Sequence, residues 1–198
     1  MARTPPTTEA TRIRQHPERS VPEEAPEILA RGLVAHLGFT RKGRPHVMPF
    51  TYHYDPSTPD RLYVHGSVTG TTLAHLATGA PVCIEVSSVD GLVYSKTALY
   101  HSMNFKSVIA YGTARAVEDP VQKKAMFDRM IARYFEGRAE GVHYSALTPD
   151  HIDSVVVLEI QIDEWGAKAR QGGPRGPHDD DPNAPGTSGV IDLTGRGR

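Results

Sequence analysis

Two segments of the 198-residue chain concentrate short hydrogen-bond donors of the kind that hold a phosphate. The first is HGSVTGTT, residues 65–72, in which hydroxyl side chains follow a strand-like run and open a helix-like run. Free backbone N–H groups at the start of a helix, assisted by hydroxyls, favour an anion. The same pattern also fits an ordinary helix cap.

The second segment is HSMNFKS, residues 101–107, which interrupts a series of apolar and β-branched residues. Polar groups are costly to bury unless each has a partner, so this cluster must find one. Lys106 supplies the positive charge that the first segment lacks. We predict that the fold brings both segments to one phosphate, where each charge-assisted hydrogen bond contributes roughly 1.5–3 kcal/mol.

The overall charge limits the classes of partner. Lys and Arg number 22 and Asp and Glu number 23, so no net field attracts nucleic acid or an anionic membrane. Cys83 is the only cysteine, which excludes an internal disulfide and favours a reducing compartment. The first twenty residues lack the apolar core of a signal peptide, and no apolar run is long enough to span a membrane. We expect a cytoplasmic protein.

Familiar catalytic motifs are missing from the sequence. It contains no GxSxG, CxxC or HExxH motif and no P-loop. The ten histidines share no metal-ligand spacing, so we predict no metal site. The residues themselves identify no catalytic group.

The hydrophobic pattern predicts a mainly β fold with added helices. Strands are expected over 33–39, 46–55, 61–67, 81–89, 92–99, 106–117 and 154–165, and helices over 22–32, 69–79, 119–137 and 148–153. Asp119 is the expected N-cap of the long helix, and Asp90-Gly91 is typical of a hairpin turn. Strands joined directly, with helices added singly, favour a closed or partly closed antiparallel barrel.

We divide the chain into three parts. Residues 1–21 form an extended N-terminal arm that drapes over the domain, and residues 22–170 form the barrel domain. Residues 171–198 are rich in Gly, Pro and Asp and have little to bury, so we expect a disordered C-terminal tail.

An ordered set of motifs resembles one known family. The segments are TRIRQHPERS, GRPHVMPFTYHYD, LYVHGS, VDGLVYSKTALYHSMNFKSV and EWGAKARQGGP, over about residues 10–173. Together they resemble the FMN-binding split-barrel family that includes pyridoxamine 5'-phosphate oxidase. The likeness is greatest to its nitroimidazole-resistance (Nim-type) branch.

The resemblance implies a homodimer of split β-barrels of the FMN-binding type, with FMN in a groove between the subunits. The residues that it assigns to the cofactor fall into three groups. The ring is flanked by Val47, Met48, Pro49, Phe50 and Thr51; the ribityl-phosphate end is held by His65, Gly66, Ser67, Thr71, Thr72, Ser102, Asn104, Lys106 and Ser107; and Trp165, Lys168 and Arg170 lie near the ring or across the dimer.

The sequence departs from the family at one position. Many relatives carry an arginine in the turn after His-Gly-Ser, where this chain has Thr71 or Thr72. The phosphate site therefore lacks a bidentate donor, and Lys106 covers part of the deficit.

The function implied is an FMN-dependent oxidoreductase. Its flavin, reduced by NAD(P)H or another donor, would act on a small organic acceptor such as a nitro-aromatic or quinone-like compound. Two alternatives stay open. A split barrel of this kind could bind deazaflavin (F420) or haem instead, with His101 or His65 as an axial ligand. It could also bind flavin without catalysing a reaction.

Overall fold

A computed structural model describes residues 3–194; residues 1–2 of the expected arm and residues 195–198 of the expected tail lie outside the described part. Eight strands and four α-helices make up the fold. The strands are β1 (Ala35–Arg41), β2 (Arg44–Phe50), β3 (Tyr52–Tyr54), β4 (Arg61–Ser67), β5 (Pro81–Tyr94), β6 (Ser102–Ala116), β7 (Val155–Arg170) and β8 (Gly189–Asp192). The helices are α1 (Ala25–Arg31), α2 (Thr71–Leu76), α3 (Pro120–Tyr134) and α4 (Pro149–Asp153).

Seven strands form one antiparallel sheet in the order β2-β1-β5-β6-β7-β4-β3, and β8 adds to β5. The two edge strands β2 and β3 are consecutive in the chain and only Thr51 separates them. The chain therefore passes directly from one edge of the curled sheet to the other. This is a split barrel, and the predicted fold class is confirmed.

Alternation along the strands sends every second side chain into the barrel. In β4, for example, Leu62 and Val64 are fully buried, while Tyr63 and His65 between and beyond them lie on the outer face. Helix α1 closes part of the barrel with Ile28 and Leu29. The core is thus inside the barrel, and any chemistry must lie at its ends or on its outer face.

Helix α3 covers part of that outer face. Asp119 caps its N-terminus by accepting a hydrogen bond from the Val121 N–H at 3.1 Å, as the sequence predicts, although the helix ends at Tyr134 and not at Gly137. The Tyr134 hydroxyl accepts a hydrogen bond from the Tyr52 N–H at 3.0 Å, which fixes the end of α3 against β3. A small second cluster of buried residues fills the space below the helix: Val117, Met126 and Val157, with Tyr63 and Phe127 packed against them.

Two segments with turn-like sequences behave differently in the structure: one forms a hairpin turn and the other lies within a strand. The segment RKGRP, residues 41–45, has the composition of a turn, and within it Lys42 and Gly43 join β1 to β2, both with positive φ, as a type I′ hairpin requires. Asp90-Gly91 does not form the expected hairpin. Strand β5 runs through it with a bulge between Val89 and Gly91, because β6 pairs with β5 along almost its whole length. The polar segment that begins at Ser102 is therefore the first half of β6 rather than an insert.

The N-terminal arm lies along β7. The Trp165 N–H donates to the Pro6 carbonyl at 3.0 Å, and Ser20 forms a bridge with Lys168. A Cβ atom built at Gly166 would lie 2.1 Å from the Thr11 carbonyl oxygen, so only glycine allows the arm to approach this closely. The described part of the arm thus lies against β7.

The expectation of a disordered tail is wrong for the described residues. Residues 171–194 fold back along β5, and β8 pairs with Gly91–Tyr94. The Asp179 carboxylate accepts hydrogen bonds from the Ser95 hydroxyl and from the backbone N–H groups of Lys96 and Gly176. The tail buries little apolar surface, so backbone pairing and this carboxylate replace the hydrophobic contacts that the sequence lacks.

No helix within residues 3–194 is both long and apolar enough to cross a bilayer.

Candidate functional site

The first group of expected cofactor residues comes from β2, Thr51, the end of β4 and the start of α2. We name it the first donor cluster: Val47, Met48, Pro49, Phe50 and Thr51, with His65, Gly66, Ser67, Thr71 and Thr72. The pairing of Tyr52 with Val64 brings Thr51 next to His65. Val47 is 66% exposed, and Ser67 and Thr71 are exposed as well, so the apolar strand and the hydroxyls are all accessible from solvent.

An arginine that the sequence reasoning missed approaches this cluster. The Arg41 guanidinium, from the turn between β1 and β2, donates a hydrogen bond to the Thr71 carbonyl at 3.2 Å. It stands beside the position where relatives carry an arginine and this chain has threonine. The signal in the sequence was the basic turn Arg-Lys-Gly-Arg at 41–44, but only the packing of α2 against the hairpin connects the two.

The second group lies at the start of β6 and the end of β7. We name it the second donor cluster: Ser102, Asn104, Lys106, Ser107, Lys168 and Arg170. Ser107 pairs with Lys168 across the two strands. Arg170 is buried, and its guanidinium donates to the Asn104 side-chain oxygen and to the carbonyls of Gly172 and Gly173. Burial and the nearby charges of Arg175 and Arg19 lower its pKa.

Lys106 already has a partner in its own chain. Its ammonium donates to the Glu24 carboxylate at 2.7 Å, and this hydrogen bond raises the pKa of Lys106. Beside the ion pair lies a cavity of about 520 Å³ between α1, β5, β6 and the tail, which we name the polar cavity. Residues that line it include Arg31, Ser87, Asp90, Lys106, Gln171 and Thr194.

The expectation that both donor segments meet at one phosphate is wrong within a single chain. Ser67 pairs with Val155 at the start of β7, whereas Lys106 pairs with Ala169 near its end. At about 3.3 Å per residue, the two points are roughly 46 Å apart along the strand. A residue-by-residue pattern could not reveal this, because the separation depends on the register of the 16-residue β7.

Trp165 is also displaced from its expected role. Its side chain is 2% exposed and belongs to the barrel core. The indole therefore cannot flank a ring that lies on the surface.

A second cavity lies between α3 and the outer face of β3 and β4, and we name it the apolar slot. Its volume is about 330 Å³, and its lining residues are Thr51, His65, Phe127, Met130, Ile131, Tyr134 and Phe135. The His65 ring meets the Phe127 ring edge-on, with 4.8 Å between centroids. Its Nδ1 atom is buried and has no hydrogen-bond partner among the described residues. Burial lowers the pKa of His65, so its imidazole is neutral near pH 7.

His53 lies under the same helix without lining the slot. Both of its ring nitrogens are buried and lack a hydrogen-bond partner within residues 3–194. Its pKa is lowered by burial and then by the charges of Arg129 and Arg133 on α3. Sequence reasoning named His65 but missed His53; the available signal was its position on the outer face of a strand that α3 covers.

His101, the other expected haem ligand, is exposed at the surface, with Nδ1 3.2 Å from the Ala98 carbonyl oxygen. Residues 3–194 contain no group of three or more His, Cys, Asp and Glu side chains arranged to hold a metal ion.

Comparisons with known proteins place this geometry in a family. Residues 22–169 match the model of the family described as pyridoxamine 5'-phosphate oxidase. No curated protein matches the chain significantly.

Solved structures extend the match. The flavocytochrome Anf3 from Azotobacter vinelandii is 27% identical, with a TM-score of 0.81 over 95% of this chain and 86% of its own. The FAD and haem binding protein from Mycobacterium smegmatis is 27% identical, with a TM-score of 0.75 over 86% of this chain and 81% of its own. A structure described as a 5-nitroimidazole antibiotic resistance protein from Bacteroides thetaiotaomicron shares the fold at 23% identity, with a TM-score of 0.61 over 74% of this chain and 82% of its own.

The family model covers most of the chain, the split barrel is present, and the solved relatives include flavin-binding proteins and a Nim-type protein. The chain belongs to the pyridoxamine 5'-phosphate oxidase-like family of flavin-binding split barrels.

Proposed function

We propose that the protein is a flavin-dependent oxidoreductase that acts, as a homodimer, on a small organic acceptor such as a nitro-aromatic or quinone-like compound. One observation carries the proposal: a member of a flavin-binding family has two donor clusters at opposite ends of β7, the first largely exposed and the second partly buried. Neither cluster is a complete phosphate-and-ring site alone. A second copy could bring the first cluster of one chain to the second cluster of the other.

The outer face of the sheet between the clusters supports a dimer. Cross-strand pairing sets Val47, Gly38, Cys83 and Tyr111 in one row across β2, β1, β5 and β6. The adjacent row contains Ile109, which is 43% exposed, and a His36–Glu85 pair at 3.1 Å. A contiguous apolar face bordered by polar groups is typical of a protein interface. A second copy of this chain, placed on these rows, would bury them.

The donor set fits a flavin. Val47 and Met48 are exposed apolar side chains, and Pro49 has no backbone N–H, so this strand suits one face of a flat ring. Arg41 offers a guanidinium near Ser67 and Thr71, which suits a phosphate or diphosphate. When bound, the flavin supplies the electron-transfer chemistry, and the chain supplies binding, orientation and exclusion of water. The absence of a catalytic triad in the sequence is compatible with that division of roles.

The choice between FMN, FAD and F420 can be made by titrating the purified protein with each of them and with riboflavin. We expect FMN or FAD to bind at least tenfold more tightly than riboflavin, because riboflavin has no phosphate to meet the cationic groups. Preference for riboflavin, or flavin binding by no form, would contradict the proposal.

Lys106→Ala tests the second cluster, and Lys124→Ala is its matched control, since Lys124 is also ion-paired but lies on α3. If Lys106 contacts the phosphate across the dimer, the first variant weakens FMN binding by about 1.5–3 kcal/mol and riboflavin binding little. The control should leave both affinities unchanged. Equal losses for FMN and riboflavin would remove the phosphate role of Lys106.

The shared site can be tested by breaking the interface. Ile109→Glu places a charge on the apolar rows and should give a monomer that no longer binds flavin, whereas Val121→Glu, on the exposed start of α3, should leave the dimer intact. Light scattering and flavin absorbance are measured on the same samples. A monomeric variant with parental flavin affinity would contradict the shared site.

Turnover separates an enzyme from a protein that only binds flavin. We expect the flavin-loaded dimer to oxidise NAD(P)H, or another donor, when a quinone or nitro-aromatic acceptor is present. No oxidation with any donor above the rate of free flavin would leave flavin binding as the function. We place the protein in the cytoplasm, since its only cysteine suits a reducing compartment.

A second candidate function is a protein that holds flavin and haem together. It is favoured by the apolar slot, which contains a neutral imidazole among aromatic and aliphatic side chains. Two solved relatives are described as a flavocytochrome and as an FAD and haem binding protein. The test is haem content and a Soret band in protein purified from haem-supplemented cells. Protein that carries flavin but takes up no haem would exclude this candidate and leave the first one standing.

A further inference from the structure

We propose that haem binds in the apolar slot between α3 and the outer face of β3 and β4, with His65 as an axial ligand of the iron. The inference rests on the second candidate function above and assigns its site. On this assignment His65 belongs to the slot and not to the flavin residues, because its ring packs against Phe127 under α3; only Thr51 borders both regions.

The lining of the slot has the composition that a porphyrin needs. Phe127, Met130, Ile131 and Tyr134 form the helical wall, and none of the described residues that line the slot carries a full charge. A macrocycle placed there would meet aromatic and aliphatic surface on the α3 side. Phe135, which is 58% exposed, lies at the mouth, so one edge of the ring could remain in water.

His65 is the only histidine among the described residues that line the slot. Its Nδ1 atom is buried and without a partner, which leaves Nε2 as the nitrogen that can meet a metal. The ligand role rests on the place of the imidazole in the slot, because iron at Nε2 would not provide a partner for the buried Nδ1. A neutral imidazole is the usual axial ligand of haem iron. The Phe127 ring holds the imidazole edge-on and limits its rotation.

The other histidines fit the role less well. His53 does not line the slot and faces two arginines of α3, whose charge opposes a bound cation. His101 is exposed, and its Nδ1 is near the Ala98 carbonyl. His75 has Nε2 3.0 Å from the Thr40 carbonyl and lies outside the slot. The structure thus selects one of the two ligands that the sequence left open.

The test is a haem titration of the flavin-loaded dimer, followed by absorbance, for the parent, His65→Ala and the matched control His101→Ala. We expect a Soret band in the parent and in the control, and at least a tenfold loss of haem affinity in His65→Ala with its flavin band retained. If the parent binds haem and His65→Ala binds it equally well with the same Soret position, the ligand assignment is wrong while the flavin–haem function stands. If the parent shows no Soret band, both are wrong.

Two further variants guard against a folding defect. His65→Gly should lose the Soret band and recover it when imidazole is added, because free imidazole can take the vacated place of the side chain. Ile131→Trp should fill the slot from the helical wall and weaken haem binding while His65 remains. Failure of imidazole to restore the band in a folded, flavin-binding His65→Gly protein, together with full haem binding by Ile131→Trp, would overturn the proposal.

Discussion

The polar cavity and the apolar slot are built from different elements, and they differ in whether their buried polar atoms have hydrogen-bond partners. In the polar cavity, Lys106 is bonded to Glu24. In and beside the slot, the ring nitrogens of His53 and the Nδ1 atom of His65 are buried with no partner in the described chain. The polar segment that attracts attention in the sequence is the satisfied one.

This difference indicates which of the two cavities has the properties of a ligand site. A cluster of donors with internal partners can hold the fold together and need not wait for a cofactor. A neutral imidazole in a cavity lined by aromatic and aliphatic side chains suits a largely apolar ligand that carries a metal. The comparison makes the slot the stronger evidence for a bound group, and the polar cavity the more ordinary structural site.

Removing the tail should have the largest effect and should separate the two cavities, because Gln171 and Thr194 line the polar cavity while no tail residue up to 194 lines the slot. Truncation after Gly173 removes β8 and its pairing with β5. We expect the free energy of unfolding to fall by about 2–4 kcal/mol, from several lost backbone hydrogen bonds, while haem binding in the slot is kept. Denaturant unfolding and the Soret band are the measurements.

A point variant measures how much of that loss of stability comes from the Asp179 carboxylate. Asp179→Ala removes the carboxylate that gathers Ser95, Lys96 and Gly176, and it should produce part of the truncation effect. Asp180→Ala, its exposed neighbour, is the control and should behave like the parent. A truncated protein as stable as the parent would show that the folded tail contributes nothing.

Arg133 links the two regions, and its removal should disturb both. The guanidinium donates to the carbonyls of Leu29 and Gly32 at the end of α1, and it lies 4.6 Å from the Tyr52 ring centroid. Arg133→Met should lower the free energy of unfolding by about 1.5–3 kcal/mol and weaken haem binding, since α3 is no longer tied to α1. Arg129→Met, on the exposed side of the helix, is the stability control. Equal stability of the two variants would argue against the link.

Glu159 gives a pH-dependent test beside the slot. Burial opposes its charge, but hydrogen bonds from Tyr63 and Arg115 overcome burial and lower its pKa below the ordinary 4.5. A depressed pKa stabilises the fold above the unfolded value, and that stability is lost as the pH falls through the folded value. Glu159→Gln should therefore cost about 1–2 kcal/mol at pH 7, and the difference from the parent should shrink below about pH 4.5. A difference that does not change with pH would contradict the assigned cause.

The smallest expected effect concerns Glu24. Glu24→Gln frees Lys106 from its ion pair and lowers the pKa of that lysine toward its ordinary value. If Lys106 also serves a flavin phosphate across the dimer, FMN should bind about twofold to fivefold more tightly and riboflavin equally, because the competing carboxylate is gone. Glu23→Gln, exposed in the same short 3-10 turn as Glu24, is the control. Weaker FMN binding would show that the pair holds the site in shape.

Local patterns in the sequence predicted local structure well. Asp119 and Pro120 marked the start of α3, Lys42-Gly43 marked a hairpin, and the order of strands indicated the split barrel. Each of these depends on a few neighbouring residues. The family motifs similarly identified the fold, because their order along the chain is preserved.

The site depended on distances that no local pattern contains. The separation of the two donor clusters follows from the register of β7, and the partner of Lys106 comes from Glu24, 82 residues away. The environment of His65 exists only after α3 packs on β4. For the tail, the composition predicted disorder, but the structure shows its backbone paired with β5.

The most direct test of the central claim is the absorption spectrum of the dimer loaded with haem and flavin, recorded for the parent and for His65→Ala. We predict a flavin band in both proteins and a Soret band in the parent alone. An equally intense Soret band at the same position in His65→Ala, or none in the parent, would contradict the account of the slot.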